Sequence, residues 1–446
     1  MTALRARSIP GFAPSSEVGR SRRIPAWLAL IGALLPFELA IYIADARFTP
    51  ARLLIVLLLP AALTVLLRKE RRPVISDLLI FVTAAWMIYA GYSASTLSPA
   101  GAEALELFGS YVVGRAYFLG RPALENFVGA LKVVTITLVG LGFADTLSGR
   151  FLVHDIVTNA LHLQSINPQY REGWIRATAT LDHPILFGVF CALAATIFLY
   201  SERSAAQRLL FVGLCSLGCI ASLSSAAYLS LILVITIYAY DCLLKRYYWR
   251  WQLLGAMCSV FIALVFLLSN NPVGWLVSHM TLDPESGYYR IMIWDIATAQ
   301  IALSPIFGFG VIEFNDQVLD NTVDSIWLVM SLRFGIPAIA LLCLTTLATF
   351  VLTGRHPCAD DDYEDQIRTG FTLVLVTYLV VGLTVHFWNY TWIFWGLCAG
   401  IRASLYERQS ARRGQQVAEP VSPVAKSRWH RRNVASSGLS PRASKS

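Results

Sequence analysis

The chain has 446 residues, of which 56% are hydrophobic and only 14% charged. Soluble domains carry about 25% charged residues, so the composition excludes a soluble enzyme and points to an integral membrane protein. The net charge of +8 gathers at the two ends, and no period-2 alternation supports a membrane β-barrel.

Apolar runs approaching the roughly 20 residues that cross a bilayer recur at 27–44, 51–67, 76–95, 104–120, 125–145, 182–200, 208–222, 224–242, 252–269, 325–352, 370–386 and 388–404. The expected fold is all-α, a polytopic membrane protein of about 12 transmembrane helices with one large extracytoplasmic loop. Residues 1–23, with five arginines against Glu17, form a basic cytoplasmic segment. A long polar start and Glu38 inside the first apolar run speak against a cleaved signal peptide. Residues 24–404 form the membrane domain. Residues 405–446 are expected to be a basic, disordered cytoplasmic tail resting on anionic lipid rather than on nucleic acid.

The run 104–120 is the weakest span, because Gly109, Gly114 and Arg115 interrupt it. Loop charges favour it nonetheless. With both termini inside, the basic stretches Arg68–Arg72, Ser201–Arg208 and Lys245–Arg250 all face the cytoplasm, as the positive-inside bias requires. Two long segments, about 147–181 and 270–324, then face outward. The second holds seven acids against one base, Arg290. It reads as folded, with a helical stretch from Tyr288 to Leu303 whose Ile291, Trp294, Ala297 and Ile301 share a face. A turn from Ser304 to Gly310 follows.

The stretch Tyr170–Phe190 leads from a polar outer loop into an apolar helix, with Arg176 eight residues before Pro184. Arg176 and Arg290 carry guanidinium forks that match phosphate oxygens bidentately and stay charged. Simple local pairing is the alternative, Arg176 with Glu172 or Asp182, and Arg290 with Asp283 or Glu285. Asp182-His183 offers a general base, or an ordinary helix start ahead of Pro184. Asp324-Ser325 opens the tenth span in the same way. Glu38 and Arg115 suit a buried ion pair. Asp360 to Asp362 contain a D-x-D spacing, read as a solvated acidic loop. Seven of the eight cysteines lie in or against apolar runs, and no spacing marks a metal site.

Arg176, Pro184 and Gly188 resemble the R-x-x-G-x-x-x-x-P-N motif of the O-antigen ligase and Wzy polysaccharide polymerase superfamily, with Ala179 at the glycine and Ile185 at the asparagine. Arg290, Trp294, Pro305, Gly308 and Gly310 are similar to that family's R-x-x-x-W and P-x-x-G-x-G loop. Val323 to Leu328 resembles its H-N-x-x-L helix entry, with Asp324 where the ligases carry His. Gly109 to Arg115 looks like a segment of exopolysaccharide polymerases.

The resemblance implies an enzyme of the bacterial inner membrane. It would polymerise an exopolysaccharide or O-antigen by inverting, metal-independent glycosyl transfer between undecaprenyl-pyrophosphate-linked oligosaccharides, with no cofactor. Arg176 and Arg290 would hold the pyrophosphate, with Arg115 a third contributor. Asp324, or else Asp182, would accept the hydroxyl proton. His183, Trp174, Tyr289 and Trp327 would contact substrate. A chain-length regulator is a possible partner. The rivals are a ligase acting on another acceptor and a lipid-linked sugar flippase.

Overall fold

The computed structural model describes residues 23–43, 46–281, 284–314, 316–320, 323–350 and 363–418. The basic segment before Arg23, the acidic run Asp360 to Asp362 and the chain past Ala418 lie outside the described residues. In chain order the helices are α1 (Ile24–Ile31), α2 (Pro50–Leu66), α3 (Ile75–Ser93), α4 (Leu97–Tyr117), α5 (Arg121–Ser148), α6 (Leu152–Leu161), α7 (Pro184–Ser201) and α8 (Ala205–Ala221). They continue with α9 (Ser225–Leu243), α10 (Arg250–Leu268), α11 (Pro272–His279), α12 (Pro284–Leu303), α13 (Ile326–Phe350), α14 (Tyr363–Val381) and α15 (Tyr390–Ala418). Six of them, α3, α5, α7, α9, α10 and α13, are long and apolar enough to cross a membrane. The chain is therefore a multi-pass membrane protein.

Two expectations at the ends are corrected. The first apolar run is not a continuous span. Helix α1 passes into short 3-10 turns at Gly32–Leu34 and Phe37–Leu39, and the antiparallel pair β1 (Ile41–Ile43) and β2 (Ala46–Phe48) follows. Pro36 lacks the N–H that a continuing helix needs. Glu38 is drawn away to His154 Nδ1 at 2.5 Å, so it does not pair with Arg115. At the other end, the segment expected to be a tail begins as helix, because α15 runs on to Ala418.

Helix α7 is the centre of the bundle, with every residue from Leu186 to Ser201 buried. Helix α10 is the opposite case: Val265 is its one buried residue, and a helix apolar all round with no protein against it belongs against lipid. The doubtful run around Gly109 and Gly114 is a helix held tightly by α15. A Cβ on Gly114 would strike the Leu397 carbonyl, and one on Gly400 would strike that of Tyr111. Small residues that let two backbones approach are the usual means of helix association in a bilayer. The glycines that weaken α4 as a sequence signal are what dock it.

Helix α13 bends at Gly335 (φ 78, ψ 171), and the Ser304–Gly310 turn fits into the bend. Phe309 N donates to Leu332 O (2.7 Å), Gly310 N to Arg333 O (2.9 Å) and Ile336 N to Pro305 O (2.8 Å). A Cβ on Gly335 would overlap the Ile306 carbonyl. Gly335→Ala is expected to cost about 2 kcal/mol or more, from left-handed strain plus the clash, read as a lower unfolding temperature in detergent.

Candidate functional site

Arg176 is positioned by a small hairpin. Strands β3 (Tyr170–Arg171) and β4 (Trp174–Ile175) pair Tyr170 with Ile175 and Arg171 with Trp174. Glu172 (φ 53) and Gly173 (φ 81) make the two-residue turn with both φ values positive, which suits strand twist in tight hairpins. Arg176 N extends the ladder to Gln169 O at 2.8 Å. The hairpin sits on the α8–α9 turn, where Arg171 Nη1 donates to Leu223 O (2.9 Å) and Arg176 Nε to Ser222 O (3.4 Å).

The chain after Arg176 is fixed by Asp145 at the end of α5. Its fully buried carboxylate accepts from Thr178 N (3.3 Å) and Ala179 N (2.9 Å) through one oxygen, and from Leu152 N (3.0 Å) through the other. Ala179 has φ 57, a conformation that glycine adopts freely. That matches its place at the glycine of the motif it resembles.

Arg290 reaches the same region from α12. The buried face of that helix is Arg290, Ile293, Ala297 and Ile301, so the face expected through Ile291 is shifted to put the arginine inward. Arg290 is 8% exposed; its Nε lies 3.9 Å from Asp324 Oδ2, and its buried Nη1 has no hydrogen-bond partner among the described residues. Burial lowers the pKa of Arg176 to about 10; the Arg171 charge adds to this, Asp324 opposes it and Arg290 lowers it further. Burial likewise lowers Arg290, with Asp324 opposing and Arg171 adding. Arg176 and Arg290, from two distant segments, thus both feel the Asp324 charge and the Arg171 charge, and an anion between them would relieve the excess positive charge.

The remaining candidates divide. His183 belongs to the cluster: Gln169 spans it and Arg176, its amide oxygen accepting from Arg176 Nη1 (2.9 Å) and its amide nitrogen 3.1 Å from His183 Nε2. Burial, then the Arg176 charge, push the His183 pKa down to about 4, so the ring is neutral at neutral pH. Asp182 turns the other way. It accepts from Asn389 Nδ2 (2.8 Å) and feels the charges of Arg47 and His154.

Arg115 stands apart. It binds Asp77 (3.1 Å) and Glu407 beside the basic stretch at Arg71 and Arg72. Helix α5 enters at Arg121 and reaches Asp145 24 residues on, a rise of about 36 Å, so Arg115 is not a third ligand of the same anion. Trp174 is exposed, Tyr289 is packed against the α12–α13 apolar cluster, and Trp327 is half-buried against the main core, its indole N–H donating to Leu379 O (3.3 Å).

Burial raises the Asp182 pKa from the ordinary 3.8 to about 6, with the Asn389 bond opposing it. A raised carboxyl costs folding free energy as pH climbs from the ordinary value through the folded one. Asp182→Asn is thus expected to stabilise the protein by about 1–3 kcal/mol at pH 7.5 and by nothing measurable at pH 4. Thermal unfolding at the two pH values checks it.

The hub of the site is the turn between α14 and α15, residues 382–389, read from sequence only as a boundary between spans. Ser325 Oγ and Ile326 N donate to Gly382 O (3.0 and 3.1 Å), and Trp294 Nε1 donates to Leu383 O (3.2 Å). These bonds hold the start of α13, with Asp324, against α12, with Arg290. From the same turn the Trp388 ring lies 6.0 Å from that of His183. The run His386-Phe387-Trp388-Asn389-Tyr390 was the visible signal: polar and aromatic groups packed into a turn too short for a loop. Residues 210–343 match the family model described as O-antigen ligase, which supports the O-antigen ligase and Wzy-type superfamily expected from the motifs. Among curated proteins, none matches the chain.

Proposed function

We propose, with the O-antigen ligase match over residues 210–343 as premise, that this membrane protein transfers glycans from a lipid pyrophosphate carrier and polymerises repeat units. The observation that carries this reading is the buried Arg290 guanidinium, with one nitrogen unpartnered, in reach of the charges of Asp324, Arg171 and Arg176. Burying cations together is unfavourable without a compensating anion. A diphosphate offers several oxygens to forked donors drawn from different segments.

In the proposed step a sugar hydroxyl attacks the anomeric carbon of the lipid-linked chain from the face opposite the pyrophosphate. The new C–O bond forms as the bond to the phosphate oxygen breaks. The electron pair leaves with the lipid pyrophosphate, and the hydroxyl proton passes to the Asp324 carboxylate. Arg176 and Arg290 stabilise the charge that grows on the leaving oxygens, where fixed donors act most strongly. Asp324 is preferred to Asp182 because it faces Arg290, whereas Asp182 faces Asn389. Neutral His183 and Gln169 orient Arg176.

The outward placement of this site, the inner-membrane location and a 12-span count belong to the same proposal. Its test is purified protein in lipid nanodiscs with a lipid-pyrophosphate-linked repeat unit. A ladder of increasing lengths is the expected product. Single-repeat attachment to another acceptor would make the chain a ligase, and no change in size would remove both.

A further inference from the structure

Beside the arginine cluster lies a cavity of about 320 Å³, walled by Leu332 and Arg333 of α13, by Glu313, Phe314 and Val323 of the preceding loop, and by His386 and Trp388 of the α14–α15 turn. Three features bear on what it holds. Its size falls at the small end of ligand sites, which run from about 300 to 1,000 Å³, and admits a pyranose ring. Its wall mixes an aromatic face with hydrogen-bonding side chains. The rings of His386 and Trp388 are 5.1 Å apart, while neither His386 nor Glu313 hydrogen-bonds another described residue.

Position supplies the rest. Val323 lines the cavity, and its neighbour Asp324 is the carboxylate that Arg290 approaches. On the other edge Trp388 borders both the cavity and His183. The cavity is thus tied to the carboxylate through the Val323–Asp324 link in the chain, and to the arginine cluster through the contact of Trp388 with His183. A hydroxyl that yields its proton to Asp324 must be held near it, and this cavity begins one residue away at Val323. Arg333 is held by Glu103. Asp320 accepts from Phe314 N (2.6 Å) and Asp316 N (2.9 Å), so these two charged groups shape the wall.

We propose that this cavity is the subsite for the accepting sugar, with Trp388 as the platform for one pyranose face and His386 as a hydrogen-bond partner of a ring hydroxyl. The proposal rests on the transfer reading above. An apolar ring face with hydroxyls round its edge matches an aromatic plane beside an imidazole and a carboxylate that hydrogen-bond no other described residue. Both side chains are positioning residues for the attacking hydroxyl.

The test uses the full chain in nanodiscs, a fixed lipid-pyrophosphate-linked donor, and as probe acceptor the lipid-free oligosaccharide repeat released from the host's own polymer. His386→Gln and Trp388→Leu are expected to raise the acceptor KM about tenfold or more, the loss of one hydrogen bond or one stacked ring, with kcat changed less than about threefold. Trp388→Phe should recover most of the loss. Equilibrium binding of the same oligosaccharide should weaken in parallel without any donor present. An acceptor KM within about twofold of wild type in His386→Gln and in a folded Trp388→Leu overturns the proposal. Arg176→Lys, assayed alongside, separates the two readings: it is expected to lower kcat with the acceptor KM unchanged. Full turnover in that variant removes the transfer reading and this subsite with it.

Discussion

Arg290→Lys is expected to abolish polymer while protein level and membrane insertion stay normal. Arg290 is nearly buried, held by Asp324 at the long distance of 3.9 Å and otherwise presenting an unpartnered Nη1. An ammonium keeps the charge but not the planar fork. Losing a fixed donor that meets charge only as the bond breaks costs about 10²–10³ in kcat. The measurement is turnover of lipid-linked repeat unit by purified protein, with membrane abundance as control. Because the contact is proposed to matter in the transition state, kcat falls more than donor KM rises. Normal polymer in this variant removes Arg290 from the mechanism.

Asp145→Ala is expected to be nearly as damaging although Asp145 touches no substrate. Its carboxylate holds Leu152 N, Thr178 N and Ala179 N, and Ala179 depends on that anchor to keep φ 57. Removing the acceptor strands the two buried N–H groups of Thr178 and Ala179 at about 1–3 kcal/mol each and frees the half-buried one of Leu152. The stretch that follows Arg176 is then released, and the hairpin keeps only its own bonds to the α8–α9 turn. Thermal unfolding in detergent is expected to shift down strongly, and polymer is expected to be lost. Asp145→Asn keeps one acceptor oxygen and should fall between the two. An alanine variant with wild-type unfolding and polymer would show that the loop does not depend on this carboxylate.

Much of this was legible in the sequence, and the failures have physical causes. Helices form across the expected spans from α2 onward because apolar runs of membrane length have few other solutions in a bilayer. Arg176, Arg290 and Asp324 stood out because charge at the border of an apolar run needs a partner. Their convergence was expected only through the family resemblance and not from the residues alone, because it depends on hydrogen bonds from Ser325, Ile326 and Trp294 to backbone carbonyls of one short turn. Backbone acceptors leave no mark on residue identity. For the same reason His386 and Trp388 passed as the edges of two spans.

Long-range ion pairs were the other blind spot. Glu38 and Arg115 matched in sign, yet they bind His154 in one case and Asp77 with Glu407 in the other. Sequence gives the charge but not which end of a helix it meets. Glycine worked in reverse. Gly109 and Gly114 lowered the expectation for α4, whereas Gly114 and Gly400 are where its backbone meets that of α15. Propensity measures a helix alone, and this helix is stabilised by its neighbour.

That Arg176 and Arg290 hold one diphosphate is tested by a double-mutant cycle on binding of sugar-free polyprenyl pyrophosphate to the purified chain. Each Arg→Lys variant is expected to weaken binding, and the two losses together to differ from their sum by about 0.5–3 kcal/mol, as for groups that share a ligand. Losses that add to within about 0.3–0.5 kcal/mol, or no loss in either variant, would mean that the two arginines do not grip the same anion.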